Sequence, residues 1–241
     1  MISFNFKYYF LISLNMKVII NSVADIRKEP KFESERISQL VYGEKVDILK
    51  KLDEYILIKS EDGVEGYVKS ANINDGDERF YKLNDRYRNK FGVFSFGSYF
   101  SEEDVKDFKI PKKFLSILDK KFDYVKLSKK FIGTPYLWGG TSDFGFDCSG
   151  FVQRLFKFSN NMIIPRNSVE QMNFTKNVNG FSNAKKGDLV FFKGHVAIYL
   201  GNFKIIHANG HYSSVRITDL SDGSDYSKYL LSIMLKIGKV E

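Results

Sequence analysis

The residues best equipped for chemistry are a single thiol and the imidazoles that follow it. Cys148 is the only cysteine of the 241-residue chain, and His195, His207 and His211 all lie downstream. A lone cysteine forms no intrachain disulfide, so it is present for packing or for reactivity. Its neighbours argue for reactivity. In Asp147-Cys148-Ser149-Gly150 the thiol precedes Phe151, Val152, Leu155 and Phe156, which recur at the spacing of one helical face. Cys148 is therefore expected to open a helix, where the backbone dipole and unpaired N–H groups favour a thiolate. The same N–H groups suit the stabilisation of an oxyanion when sulfur attacks a carbonyl. The plainer alternative is a small buried core residue.

A nucleophilic thiol needs a base. His195-Val196-Ala197-Ile198-Tyr199-Leu200 alternates like a strand and puts His195 on the face of Ala197 and Tyr199. His207 falls in the next strand, with Gly201-Asn202 at the reversal. A two-residue loop there sends the two imidazoles to opposite faces. A three- or five-residue loop centred on Gly201 sets His195 opposite His207 on one face, with Cβ atoms roughly 4.5–5.5 Å apart. A working pair thus requires an odd loop, and a two-residue turn without a bulge would exclude it. His211, among Gly210, Tyr212 and Ser213, reads as a loop residue with no catalytic part. Zinc ligation by Cys148, His195 and His207 is the competing use of the same side chains, but the tight spacing of metal ligands is missing. No metal and no cofactor is expected.

These groups must be held by a scaffold, and the composition says of what kind. Hydrophobic residues make up 43% and aromatics 16%, the profile of a globular chain. The net charge of +8 is spread over 37 basic and 29 acidic residues without a basic stripe, so nucleic acid is not expected as a partner. No stretch approaches the roughly 20 apolar residues of a membrane span. Lys7 and the run Tyr8 to Leu14 imitate a signal peptide, but Asn15 and Lys17 interrupt it and Met16-Lys17-Val18 is an alternative start. Residues 1–16 are read as an uncleaved N-terminal extension, favouring a cytoplasmic protein over one exported to the periplasm or cell wall. A monomer is compatible with the pattern, and the oligomeric state is left open.

Residues 17–73 consist of short β-rich segments punctuated by Gly43, Asp53-Glu54 and Asp62-Gly63, as in a small β-barrel. Residues 74–121 form a linker or insert. Its polar start, Asn74-Asp75-Gly76-Asp77-Glu78, leads to an aromatic stretch, Phe91 to Phe100, expected to pack against one or both flanking domains. Pro111 is expected to start a helix through Phe114, Leu115 and Leu118. Residues 122–241 read as α+β. A helix around Tyr124 to Phe131 stops at Gly133-Thr134-Pro135, and the Cys148 helix follows. Asp188 to Phe192, His195 to Leu200, Phe203 to Ala208, Val215 to Ile217 and Leu230 to Ile237 then supply one antiparallel sheet.

Two resemblances follow from particular residues. Val23-Ala24-Asp25-Ile26-Arg27, Ser38-Gln39-Leu40-Val41-Tyr42-Gly43-Glu44 and Asp62-Gly63-Val64-Glu65-Gly66-Tyr67-Val68 resemble a bacterial SH3-like domain. Gly133-Thr134-Pro135-Tyr136-Leu137-Trp138-Gly139-Gly140, Asp147-Cys148-Ser149-Gly150-Phe151-Val152-Gln153, Pro165-Arg166-Asn167-Ser168, Gly187-Asp188-Leu189-Val190-Phe191-Phe192 and the strand from His195 to Gly201 resemble the NlpC-type cell-wall cysteine peptidase family. Phe146 departs from the smaller residue common in that family.

The second resemblance implies a papain-like α+β catalytic domain behind the SH3-like β-barrel. Cys148 would be the nucleophile, His195 the base and then the acid, and His207 the group that orients His195. Tyr136 would lie beside the thiol and help polarise the oxyanion, while Asp147, Ser149, Arg166 and Ser168 would line the substrate cleft. Family members with this domain pair cleave γ-D-glutamyl-diamino acid bonds in muropeptides bearing a free N-terminal L-alanine, so peptidoglycan-derived peptides are the implied partner. Arg166 would fork onto the α-carboxylate of D-glutamate and Asp147 would hold the substrate ammonium. Asp147 is equally suited to capping the Cys148 helix, and Ser168 with Gln171 has the spacing of a capping box. An amidase-type thiol hydrolase and a non-catalytic wall-binding protein are the alternative functions.

Overall fold

The computed structural model describes residues 16–241, so all but Met16 of the N-terminal extension lies outside the described residues. Seven strands come first: β1 (Lys17–Ile19), β2 (Val23–Arg27), β3 (Arg36–Val41), β4 (Lys45–Lys51), β5 (Tyr55–Ser60), β6 (Glu65–Lys69) and β7 (Ile73–Asp75). They form one sheet in the order β3-β2-β6-β5-β4-β1-β7. Alternate residues such as Ala24, Ile26, Ile56, Ile58 and Val68 share a small apolar core.

The next segment has a structure of its own. β8 (Tyr81–Leu83), β9 (Tyr87–Asn89), β10 (Gly92–Phe94), β11 (Tyr99–Phe100), α1 (Glu102–Asp107) and β12 (Leu115–Ile117) build a three-stranded sheet, β11-β8-β12, and a β9-β10 hairpin. The helix expected from Pro111 is cut to one 3-10 turn, Lys112–Phe114, and its continuation from Leu115 is corrected to a strand. Leu115 to Ile117 pairs along β8, and Leu115 packs with Phe94, Phe100 and Tyr42. A ladder partner and an aromatic core outweigh local helix preference over so short a stretch. The aromatic run serves both neighbours: Phe94 and Phe100 pack on Tyr42, whereas Phe96 enters the core of the C-terminal part. Lys82 is wholly buried, and its ammonium donates to the Phe158 carbonyl (2.7 Å) and Asn161 Oδ1 (3.1 Å).

The C-terminal part comprises α2 (Tyr124–Ser128), β13 (Thr141–Ser142), β14 (Gly145–Phe146), α3 (Cys148–Asn160), α4 (Ser168–Phe174), β15 (Lys176–Val178), β16 (Leu189–Phe192), β17 (His195–Gly201), β18 (Lys204–Asn209), β19 (Ser214–Asp219), α5 (Asp225–Ser232) and β20 (Met234–Lys239). Its antiparallel sheet has the order β15-β20-β16-β17-β18-β19. Strand alternation divides the apolar side chains into two layers. Val196, Ile198, Ile206 and Ala208 meet Phe151, Val152 and Leu155 of α3, while Ala197, Tyr199 and Ile205 meet Leu230 of α5. Leu230 to Ser232, expected in a strand, instead complete α5. Ser224 caps that helix by accepting from the Ser227 N–H, so strand structure starts only at Met234.

The N-terminal sheet is clamped to α3 by buried charge. Glu44, 2% exposed, accepts from both Arg154 guanidinium nitrogens (3.0 and 3.2 Å) and from Lys157 Nζ (2.6 Å). Burial alone raises the Glu44 carboxyl pKa, but the two cations overcome that and hold it down at about 2. Beside this clamp, the Gln39 amide oxygen accepts from the Thr141 N–H and the Ser142 hydroxyl, and the Gln39 carbonyl accepts from the Thr141 hydroxyl. Gly139, at φ +73°, brings the loop so close that a Cβ there would lie 2.3 Å from the Arg36 carbonyl oxygen.

Candidate active site

α3 starts at Cys148 because Asp147 is its N-cap, extended at φ −88°, ψ 175°, with Oδ1 accepting from the Gly150 N–H at 2.7 Å. The thiol is thus in the first turn, 8% exposed, and packs in the apolar layer with Phe151 and Val196. Burial pushes the thiol up to about 11, and the Asp147 carboxylate adds to the rise. Hydrogen bonds from the Val196 and Ser149 N–H groups and the charge of Arg166 offset this only in part. The thiolate expected from helix position alone is corrected to a resting thiol, because desolvation and a neighbouring anion outweigh the helix terminus.

The Val196 N–H brings the start of β17 to the sulfur. β17 and β18 pair as Ile198 with Ile206, Tyr199 with Ile205 and Gly201 with Lys204, leaving Leu200 as an extra residue. The turn itself is Asn202-Phe203, both at positive φ (50° and 57°), the geometry of a type I′ hairpin. So the connection is a two-residue turn and not an odd loop, and the bulge at Leu200 restores the parity that a plain turn would lose. Continuing the register sets Ala197, not His195, opposite His207. The imidazoles are diagonal neighbours on one face, still within side-chain reach. His195 Nε2 and His207 Nδ1 are 2.7 Å apart.

The far side of His207 is also held. Its Nε2 lies 2.9 Å from Thr218 Oγ1 and 3.1 Å from Asn209 Nδ2. The Asn209 amide is oriented by the Tyr212 N–H, which donates to Oδ1 at 3.1 Å, and its Nδ2 donates to Tyr226 Oη at 2.9 Å. Thr218 and Asn209 went unnoticed in the sequence because their part depends on strand pairing. The only available signal was the i+2 spacing from His207 to Asn209, which puts both on one strand face. Burial pushes His195 down to about 4 despite the opposing charge of Asp147. His207 is pushed well below its ordinary value by burial, with His195 and Arg216 adding to the effect. The resting site is therefore a neutral thiol beside two neutral imidazoles.

Asp147 and Arg166 are brought together. Arg166, 4% exposed, forks onto Asp147 with Nη1–Oδ1 at 3.1 Å and Nη2–Oδ2 at 2.5 Å. Its Nη1 also donates to Ser149 Oγ (3.1 Å) and its Nε to Ser38 Oγ of β3 (3.0 Å). Asp147 further accepts from Gly139 N–H, Gly150 N–H and Ser149 Oγ, making five hydrogen bonds in all. The two groups expected to grip opposite ends of a substrate satisfy each other here, and the carboxylate's acceptor capacity is filled.

Ser168 opens α4 half-buried, but the cap is Asn167. Its backbone N–H donates to Glu170 (3.3 Å), so the capping box lies one residue earlier than the Ser168–Gln171 spacing suggested. Gln171 instead donates to the Ser149 and Pro165 carbonyls. Tyr136 is half-buried, and its phenol is pushed up to about 12 by burial and by the nearby Cys148 and Asp147. It is a neutral O–H donor at working pH. Trp138 is 63% exposed and donates to Glu35 of the N-terminal part (2.9 Å). Beside His195 and Tyr136 a cavity of about 860 Å³ opens towards α5.

Comparison with known proteins agrees with this geometry. The NlpC/P60 family model matches residues 133–234 and the bacterial SH3 domain model residues 22–74. The Gamma-D-glutamyl-L-lysine dipeptidyl-peptidase of Bacillus subtilis (strain 168) is 40% identical over 119 residues, covering 46% of this chain and 39% of that protein. The chain thus spans well under half the length of that relative. Dipeptidyl-peptidase 6 of Lysinibacillus sphaericus is 27% identical over 231 residues, 92% of this chain and 72% of that protein. The crystal structure of an NlpC/P60 family protein from Bacillus cereus ATCC 10987 superposes with a TM-score of 0.75 at 20% identity, covering 92% of this chain and 99% of that one, which shows a shared fold. The chain therefore carries a papain-like NlpC/P60-family domain over residues 133–234, joined to a bacterial SH3 domain over residues 22–74.

Proposed function

We propose that the protein is a cysteine peptidase of peptidoglycan stem peptides, hydrolysing the γ-D-glutamyl bond to the diamino acid in free L-Ala-γ-D-Glu-diamino acid peptides. The observation that carries this reading is the thiol at the start of α3, touched by the Val196 N–H, with the adjacent His195 held by His207 at 2.7 Å. The names of the relatives from Bacillus subtilis and Lysinibacillus sphaericus support it.

In this mechanism the Cys148 sulfur attacks the γ-carbonyl carbon while its proton passes to His195. The accepting nitrogen is Nδ1, since Nε2 is engaged by His207. His195 donates from Nε2 to His207 Nδ1, and His207 donates from Nε2 to Thr218 Oγ1, which spreads the charge that His195 gains. First-turn N–H groups and the Tyr136 hydroxyl stabilise the oxyanion. Its collapse breaks the C–N bond, and the leaving amine takes the proton from His195. Water then attacks the thioester, giving one proton to His195, which returns it to the departing sulfur.

Ser149, Ser168 and the Asp147–Arg166 pair form the acyl side of the cleft, with the pair as a fixed polar wall. Ser168 makes no side-chain hydrogen bond among the described residues, which leaves its hydroxyl for substrate. Residues 17–73 act as a curled barrel whose β3 narrows that side, and residues 74–121 brace the two halves. Intact wall presents no free N-terminal alanine, so this reading assigns the enzyme to recycling of fragments in the cytoplasm.

Incubation of the protein and its Cys148→Ala variant with L-Ala-γ-D-Glu-diaminopimelate under reducing conditions tests the assignment. Release of diaminopimelate by the parent protein alone is expected. Equal release by both, or by neither, would overturn it. An N-acylated tripeptide cleaved as fast as the free one would remove the recycling role.

A further inference from the structure

The hydrogen bonds around His207 fix where the protons of the catalytic pair sit. Asn209 stands two residues along β18 from His207, on the same face, and both are wholly buried. A carboxamide fits either way round in shape, but here the Tyr212 N–H decides its orientation. A backbone N–H only donates, so the atom facing it at 3.1 Å is Oδ1. Nδ2 is left facing His207 Nε2 at 3.1 Å and Tyr226 Oη at 2.9 Å. Its two hydrogens have one acceptor each, and an amide nitrogen accepts nothing. His207 Nε2 therefore presents a lone pair, which places the single hydrogen of the neutral ring on Nδ1.

The consequence passes to His195. His207 Nδ1 donates to His195 Nε2 across 2.7 Å, so the hydrogen of the neutral His195 ring is on Nδ1. That is the nitrogen that receives the thiol proton in the mechanism above, and while it carries a hydrogen it cannot take another. Attack needs the opposite arrangement, with both rings protonated at Nε2. Thr218 suits either one, because a hydroxyl donates or accepts. Asn209 does not: a hydrogen on His207 Nε2 would point at an N–H donor 3.1 Å away. The two arrangements hold equal numbers of protons, one leaving His195 Nδ1 for water as another reaches His207 Nε2. The other ionisable groups about the pair are Arg216, opposite His207 on β19, Asp147 and Cys148 at the start of α3, and Lys193, His211 and Tyr226 on the cavity. Among the described residues none of these hydrogen-bonds to either imidazole, which leaves Asn209 to set the hydrogens.

We propose that Asn209 is a positioning residue that holds the resting pair in the idle arrangement, its amide kept turned by the Tyr212 N–H and the Tyr226 hydroxyl. It acts through His207 and not on the reacting atoms. The inference rests on the peptidase reading above and adds a brake to it. An acceptor at position 209 would favour the working arrangement and stabilise the imidazolium that His195 becomes during attack.

Two-bond proton–nitrogen NMR of protein labelled in its histidine rings reads the arrangement directly, with His211→Gln identifying the third imidazole. At neutral pH the parent protein is expected to carry hydrogen on Nδ1 of His207 and none on Nε2. Hydrogen on Nε2 would overturn the proposal, whether or not any peptide is cleaved. Asn209→Asp supplies the acceptor. There the His207 hydrogen should move to Nε2, and kcat/KM on the tripeptide at neutral pH should rise about tenfold. The acid limb of the pH profile should move up by about one pH unit, the same factor expressed as a proton affinity. Unchanged hydrogens, or moved hydrogens without a gain in rate, would overturn the brake. If Asn209→Asp fails to fold, the parent spectrum decides alone. A parent protein that cleaves nothing while His207 carries its hydrogen on Nδ1 would overturn the peptidase reading and leave the hydrogen placement standing, so the two failures are distinguishable.

Discussion

The clamp between the two halves and the catalytic site are both buried and both contain titratable groups, yet they settle in opposite charge states. At the clamp, Glu44 keeps its charge because Arg154 and Lys157 are in contact with it, and its carboxyl stays at about 2. At the site, Cys148 and His195 have too little countercharge for their burial and sit at about 11 and about 4, both neutral. Burial therefore does not decide whether a group is charged; the groups facing it do. The clamp spends its charge on holding the parts together. The site withholds charge until a carbonyl arrives to receive it.

Four experiments break or sharpen this contrast. The largest effect is expected from His195→Ala, which removes the proposed general base and should lower kcat on the tripeptide by at least ~10⁴-fold, with thermal stability little changed. The mirror experiment is Glu44→Gln, which leaves the buried Arg154 without its anion and Lys157 with Glu61 alone, and should cost about 3–5 kcal/mol in urea unfolding. Replacing Glu44, Arg154 and Lys157 together by Leu, Met and Met should recover most of that loss; no recovery would mean that the clamp acts by more than charge pairing.

Thr218→Val comes next. It removes the partner of His207 Nε2 at nearly constant shape, and about a tenfold fall in kcat is expected with KM unchanged. A change in KM alone would show Thr218 to be packing. The smallest effect is one of pH. His195 accepts a proton only when neutral, so activity is present above its folded value and lost below it, which puts the acid limb of kcat/KM near 4 and not near 6.5. Glu44 works in the same direction on stability. Its folded value is depressed, so its contribution is complete above about 4.5 and fades as pH falls towards about 2. Circular dichroism at each pH separates the two.

Much of this was readable along the chain wherever the cause was local. Asp147 before Cys148 and the spacing of Phe151, Val152, Leu155 and Phe156 announced α3 and the thiol at its start. The alternation after His195 announced β17, and the parity argument identified what the hairpin had to supply. What escaped was set by partners far away. The bulge at Leu200 depends on two strands, and the fork of Arg166 on Asp147 spans 19 residues. Leu115 to Ile117 turned from helix to strand because β8 offered a ladder, and α5 was hidden because its apolar residues also suit a strand. The charge state of Cys148 was misread because helix position is visible in sequence and desolvation is not.

Lys82 carries a consequence for engineering. It holds the last turn of the helix that begins with Cys148, donating to the Phe158 carbonyl from outside the catalytic half, while Glu44 pairs with Arg154 and Lys157 of the same helix. The catalytic half is for that reason a poor cassette for transplantation. A chimera that swaps in a foreign N-terminal module must bring a carboxylate to Arg154 and Lys157 and a cation to Phe158. Modules that lack them will yield misassembled hybrids however well their own sheets fold.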